Sequence, residues 1–423
     1  MATRLLAIGD LHLGRRPGRV DRHLDPGEQL TPAAAWSACV ETAITGGADA
    51  VVLTGDVVED SDDLYEAYPD LARGVRRLDE HGIAVAAVSG NHDGRVLPRL
   101  AAAIPAFRLL GREGRWERAE IAGVELLGWS FPGATATDNP LRDGVPPRLG
   151  GGARIGLLHC DRDQTGSRYA PVRSAELAAA DADAWLLGHI HAPDALAGPR
   201  PMGYLGSAMG LDPGEPGPRG PWWISVRSPG HVDAEQVPLA PLRWEPLGVD
   251  ATGIAEPEAL HARTAEAVAA LHDRLSAEGA RPRAVGCRLR VTGRPEPGAR
   301  LEGEPGTAGL ARFQDERDGV RYFVEGVRLA TEPALDLERL AQGSDPLALL
   351  ARRLLILRRP ADDPERAELI RRARPELEAL ARRRAFWDLE AGTLDETRIA
   401  EALERASRQA LDALLAQGTE ATP

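Results

Sequence analysis

The chain has 423 residues, 43% of them hydrophobic, and a net charge of −13 at pH 7. That length is too great for one core and predicts two or three domains, while the lack of any apolar run of about 18 residues excludes a membrane-spanning helix of ordinary kind. All 51 basic residues are arginine, which excludes a lysine-dependent phosphate-binding loop, and the acidic balance argues against a bulk coat for nucleic acid without forbidding a local basic strip. Cys39, Cys160 and Cys287 lie far apart with no CxxC pair, the pattern expected of reduced thiols in a cytoplasmic protein. The N-terminus reads as a strand running straight into a motif, with no secretory leader.

In chain order, residues 3–9 predict a short buried strand. Thr31-Pro32 reads as an N-cap and first-turn proline opening an Ala-rich helix to about Thr45. A strand over 50–54, a helix over 64–81 and a strand over 83–88 follow, and residues 124–130, 154–159 and 184–187 predict further strands. Strand–helix–strand repeats imply a parallel sheet with right-handed crossovers and its chemistry in loops at the strand C-termini. Residues 204–235 are rich in Gly and Pro and end in a β-like WWISV. The character changes near 238–246, and a helix over 257–277 with strands over 283–292 and 321–329 predicts a small α+β unit. From Ser344 the pattern is helical. Asp345-Pro346 and Asp363-Pro364 read as helix starts, Leu347, Leu350, Leu354 and Leu357 form one apolar stripe, and Ile399, Leu403, Ala406, Ala410 and Leu414 mark a last helix. The expected division is 1–238, 239–340, 341–418 and a disordered tail over 419–423.

Five blocks stand directly after apolar strands: Asp10-Leu11-His12, Gly55-Asp56, Gly90-Asn91-His92-Asp93, His159, and Gly188-His189-Ile190-His191. In extended chain, residues i and i+2 point the same way, so each Asp-x-His or His-x-His pair can face one ion. Glycine before a ligand lets the backbone turn tightly. Carboxylate, imidazole and amide form a mixed oxygen–nitrogen set without thiolate, suited to Mn2+, Fe2+ or Zn2+ rather than Ca2+. One such block alone is an ordinary polar loop; five in this order are not.

The blocks resemble the calcineurin-like metallophosphoesterase superfamily over about residues 3–238. The resemblance implies a layered α/β/β/α sandwich, followed here by a small α+β capping and DNA-contact domain and a helical C-terminal region. It implies two divalent cations, expected to be Mn2+: one held by Asp10, His12, Asp56 and His191, the other by Asp56, Asn91, His159 and His189. It places His92 beside the leaving group, as general acid or electrostatic stabiliser. Glu59 or Asp60 is a candidate to orient the His92 ring. AIGDLHLG, Tyr169-Ala170-Pro171, Tyr204-Leu205-Gly206-Ser207, Asp212-Pro213-Gly214-Glu215 and Gly217-Pro218-Arg219-Gly220 resemble the DNA repair exonucleases of the SbcD and YhaO types. Leu205 departs from a frequent proline, and Glu59 stands where some of these nucleases carry histidine.

That branch implies a phosphodiesterase cutting DNA beside a coiled-coil ABC-type ATPase bound through the C-terminal helices, with a homodimer as a further expected assembly. Arg15, Arg16, Arg19 and Arg22 after the first ligands, and Arg162 and Arg168 after His159, are candidates to pair with DNA phosphates. A phosphatase or small-molecule phosphodiesterase with the same metals is the competing enzyme reading. A non-catalytic partner-binding scaffold is the competing non-enzyme reading.

Overall fold

The structure is a computed structural model that describes residues 2–20, 23–25, 27–60, 64–296, 299, 301–303, 306–331, 337–381 and 396–420. Two compact units divide the chain, one of residues 1–293 with 298–331 and the other of 294–297 with 332–423.

In the first unit the chain runs β1 (Thr3–Ile8), α1 (Pro32–Thr45), β2 (Ala50–Thr54), α2 (Leu64–Glu80), β3 (Ala84–Val88), α3 (Leu97–Ala103), β4 (Phe107–Leu109), β5 (Glu117–Ile121), β6 (Val124–Trp129), β7 (Arg154–His159), α4 (Ser174–Ala179), β8 (Ala184–Gly188), β9 (Met202–Tyr204), β10 (Trp222–Ser228) and β11 (His231–Gln236). One sheet has the order β11-β10-β1-β2-β3-β4 and another β5-β6-β7-β8-β9. Strands β1 to β4 are parallel neighbours, as are β6 to β9.

Alternation along the strands builds the layers. Leu5, Ala7, Val52, Ala86, Ile155, Leu157 and Leu186 share a core between the two sheets. Leu6, Ile8, Val51 and Leu53 point the other way, against Trp36 of α1, Leu71 and Leu78 of α2 and Leu97 and Leu100 of α3. Trp185 and Leu187 cover the outer side of the second sheet with Leu177 of α4. The order is helix, sheet, sheet, helix, as the resemblance implies. The helix start at Thr31 is as expected, its side chain accepting from Ala34 N.

The same unit continues with β12 (Leu242–Asp250), α5 (Ala259–Ala277), β13 (Ala284–Thr292), α6 (Thr307–Leu310), β14 (Gln314–Arg317) and β15 (Val320–Leu329). These form a four-stranded sheet of order β12-β13-β15-β14. Val285, Cys287, Leu289 and Val291 alternate onto one face, against Leu260, Val268, Leu271 and Leu275 of α5. Trp244, Ala284 and Phe323 instead join the core around α1 to α3 and so pack this middle domain on the first. The sequence pattern does not announce β12, which carries Pro246 and Gly248; β12 is an edge strand, where a missing N–H is tolerated.

The second unit holds α7 (Leu337–Leu340), α8 (Pro346–Leu357), α9 (Pro364–Ala381) and α10 (Glu396–Glu420). Asp345 caps α8 by accepting from Ala348 N at 2.8 Å, and Asp363 accepts from Glu365 N and Arg366 N. Leu354 packs with Leu337, Ala351 and Leu411, with Leu347 and Leu350 against them, so α7 and α10 cover much of the stripe. Leu349 remains 49% exposed. Of the tail expected to be disordered over 419–423, Thr419 and Glu420 instead belong to α10, because a lone glycine at 418 costs a helix only about 1 kcal/mol. Residues 421–423 lie outside the described residues. No described helix is long and apolar enough to cross a membrane.

Candidate metal centre

Strands β1, β2, β3, β7 and β8 deliver the five blocks to one edge of the sandwich. Ligand atoms of Asp10, His12 and His191 fall within 4.8 Å of one another, as do those of Asp56, His159 and His189. Asp10, His12, Asp56 and His159 are buried. Three of these residues sit on left-handed backbone, His12 at φ 53°, Asp56 at φ 47° and His189 at φ 104°. Such strain persists only where the surroundings enforce it, and it clusters at functional sites. Gly90 is required by contact: a Cβ there would lie 2.2 Å from Asp56 Oδ1. Gly55 combines φ 98° with a closest approach of 2.5 Å to His159 Nδ1.

Nε2 of His12 and Nε2 of His191 converge to 3.0 Å. Their other nitrogens are backed by carboxylates, His12 Nδ1 lying 2.6 Å from Glu59 Oε2 and His191 Nδ1 2.6 Å from Glu215 Oε1. His159 Nδ1 lies 3.1 Å from the Thr54 carbonyl oxygen, which can only accept, so that nitrogen carries the hydrogen. His159 Nε2 then faces Asn91 Oδ1 at 3.0 Å and Asp56 Oδ2 at 3.3 Å. His189 donates its backbone N–H to Asp10 Oδ1 at 2.9 Å, and its Nε2 lies 3.2 Å from Asp161 Oδ1.

Converging lone-pair atoms need a positive species between them. Burial opposes charge on His159, yet the carboxylate of Asp56 raises it from 6.5 to about 9; burial likewise opposes charge on Asp56, and His159 holds it well below the carboxylate range. Burial works against charge on both His191 and Glu215, but their mutual hydrogen bond raises the first and lowers the second. Burial, then the charge of His159, lowers His189. Asp10 Oδ2 is buried without a hydrogen-bond partner. An orphaned carboxylate oxygen beside imidazoles whose far nitrogens face carboxylate or carbonyl oxygens at 2.6–3.2 Å is a donor set that fits a metal, and the structure brings all seven residues expected as ligands together around it. Asp56 stands between the two groups.

His92 is exposed at the rim. Its ring meets that of His12 edge-on at 5.2 Å. The Glu59 backbone oxygen accepts from His92 Nδ1 at 2.8 Å, so Nε2 is the nitrogen left to exchange a proton. This corrects the expectation for Glu59, whose carboxylate serves His12 because that ring sits deeper and nearer; only its carbonyl orients His92. Asp60 follows in the same loop.

The expected phosphate contacts are largely engaged elsewhere. Arg16 pairs with Glu28 at 2.6 Å. Arg162 pairs with Asp194 at 2.8 Å and stacks over Tyr204 at 4.8 Å. Arg168 lies 5.9 Å from the Tyr169 ring. Arg15 stays at the centre's edge, 3.7 Å from Glu59. Arg22 lies outside the described residues.

Two contributors carry little signal in the sequence. Asp93 is fully buried and accepts from Gly90 N and Val57 N, each at 2.7 Å, tying the loop after β2 to the loop after β3. Burial and then the charge of Asp56 push its carboxyl up to about 7. Its place in the Gly90–Asp93 block is the available signal. Glu215 closes the Asp212–Glu215 segment that carries the resemblance, but nothing in the sequence links it to His191.

A model of the calcineurin-like phosphoesterase family matches residues 3–193, and a model of the middle domain of metallophosphoesterase YhaO matches residues 244–332. The uncharacterized metallophosphoesterase YhaO of Bacillus subtilis (strain 168) is 26% identical over 231 residues, which are 50% of this chain and 54% of that protein. The chain thus spans about half the length of this curated relative. Among solved structures, TT1561 of Thermus thermophilus aligns with TM-score 0.34 and 15% identity over 56% of this chain and 99% of its own. A dimetal phosphatase from Danio rerio aligns with TM-score 0.35 and 11% identity over 55% and 98%. With both family models matched in order, the chain carries a calcineurin-like metallophosphoesterase domain over residues 3–193 followed by a YhaO-type middle domain over residues 244–332.

Proposed function

We propose that this metallophosphoesterase hydrolyses phosphodiester bonds of DNA, as the nuclease subunit beside a coiled-coil ABC-type ATPase. The observation that carries the choice of polyanion is the face of the middle-domain sheet turned away from α5. Arg288 lies between Pro246 and Gly326 in one cross-strand row, and Arg290 between Gly248 and Arg328 in the next. The three arginines are exposed, and Gly248 and Gly326 leave open space within 4 Å of where a Cβ would stand. Small residues and forked cations on a flat surface suit a phosphate backbone read without base contacts. Glu325, at the register shift beside Arg288, pairs with Arg288 at 2.9 Å and approaches Arg19 at 3.9 Å. The face therefore adjoins the loop that follows His12.

Asp10, His12, Asp56 and His191 would hold one cation, and Asp56, Asn91, His159 and His189 the other. The mixed oxygen–nitrogen set suits Mn2+. When bound, the two ions supply positive charge for the phosphate oxygens and acidity for the attacking water. Glu59 and Glu215 hold the His12 and His191 rings in the tautomer that presents Nε2. His92 donates a proton from Nε2 to the departing alkoxide oxygen, its ring held by the Glu59 carbonyl. Arg15 adds charge at the rim.

The test of the substrate is charge reversal. Arg290→Glu with Arg328→Glu should weaken all DNA sequences alike. The salt dependence of binding should also flatten, its logarithmic slope falling by about one for each phosphate no longer neutralised. Hydrolysis of a p-nitrophenyl phosphate ester should be retained. Unchanged DNA affinity would favour the small-ester reading, which the ion-paired state of Arg16 and Arg162 also supports.

A further inference from the structure

The histidine that closes the motif series is held from outside the motifs. Glu215 Oε1 meets His191 Nδ1 at 2.6 Å, and Glu215 Oε2 accepts from Leu211 N at 2.9 Å. Both carboxylate oxygens are therefore engaged, one on the ligand and one on the loop that carries the carboxylate. That loop has no regular structure of its own. Its two ends are fixed by one residue of the middle domain: Trp244 Nε1 donates to the Gly210 carbonyl at 3.1 Å, and the Trp244 carbonyl accepts from Gly217 N at 2.9 Å.

Trp244 itself cannot shift freely. It is 1% exposed, meets Phe323 edge-on at 5.8 Å, and lies over Gly286, where a Cβ would be 2.0 Å from its ring. Gly210 also lies close, with a Cβ position 2.6 Å from Trp244 Cδ1. The supports of the other ligands lie in the phosphoesterase domain: Glu59 for His12, the Thr54 carbonyl for His159 and Asp161 for His189.

We propose that Glu215 is a positioning residue for His191, that Trp244 fixes Glu215, and that the middle domain thereby completes one of the two metal positions, the one built on Asp10, His12 and His191. This rests on the two-metal reading. A carboxylate on the far nitrogen sets the tautomer and ring direction of a ligating histidine, and removing such a partner typically lowers metal affinity about 10–100-fold. The position built on Asp56, Asn91, His159 and His189 has no support from Trp244 and keeps its affinity.

The experiment is Mn2+ binding to the full chain by calorimetry, with elemental analysis of ion content. The wild type should take up two ions; if it takes up none, the two-metal reading fails and this inference with it. Glu215→Ala should weaken one ion about 10–100-fold and spare the other. Glu215→Gln keeps the shape and guards against misfolding; it should weaken the same ion less. The affected ion should be the one lost in His191→Ala, and the double variant should bind no worse than His191→Ala alone. Trp244→Phe preserves the packed ring and removes the Nε1 donor; it should weaken the same ion with an unchanged melting temperature in EDTA. If the wild type binds two ions and Glu215→Ala binds both as tightly, or loses both equally, the positioning role is overturned. If Glu215→Ala weakens one ion and Trp244→Phe weakens neither, the middle-domain part is overturned.

Discussion

At the scale of single residues, Asp56 and His92 divide the work of the centre. Asp56 lies between the two ligand groups, with Oδ1 accepting from His92 N at 3.0 Å and Oδ2 facing His159 at 3.3 Å. Its loss strips charge from both positions at once. Asp56→Asn should therefore abolish hydrolysis and leave fewer than two ions per chain by elemental analysis; two retained ions with normal turnover would contradict the shared role. In the proposed mechanism His92 supplies a proton rather than a metal bond. His92→Ala should keep both ions and lower turnover by about 10²–10⁴. Loss of metal in that variant would make His92 structural.

Elements decide whether those side chains meet. The loops after β2 and β3 touch at Gly90, where a Cβ would stand 2.2 Å from Oδ1 of the buried Asp56. Gly90→Ala should lower ion content below two while the far-ultraviolet circular dichroism stays that of the wild type. Full metal loading in this variant would mean the loop moves more readily than its packing implies. The motif ligands are legible in the sequence because each lies at the end of an apolar strand or within four residues after it. Extended alternation does not account for the His-x-His pair: His189 is left-handed, and it joins Asp56 and His159 while His191 joins Asp10 and His12. The supports are not legible. Glu215 is 24 residues from His191 in sequence and meets it only through a loop pinned by the next domain. Sequence neighbours suggest one set of partners for Glu59 and Arg162, whereas a deeper histidine and Asp194 lie nearer in space. The strand β12 stays hidden because Pro246 and Gly248 mimic a loop, a disguise available only to an edge strand.

Across the whole molecule, the phosphoesterase and middle domains form one compact unit, and the helical region another. The chain has no lysine and hence no lysine-bearing phosphate loop of its own, so ATP-driven opening of DNA would need a second polypeptide. We propose the helical unit as its dock. Ending the chain after Thr331 should leave a folded, metal-loaded core and abolish co-purification with the ATPase; retained binding would move the dock to the first unit. We propose that this centre cuts phosphodiesters of DNA with bound divalent metal. The most direct test is turnover of the full chain on linear DNA and on p-nitrophenyl phosphate monoesters and diesters, with Mn2+ and after its removal. DNA and the diester should be cleaved with Mn2+ and left intact without it and by Asp56→Asn; hydrolysis of the monoester alone, with DNA left intact, would overturn the proposal.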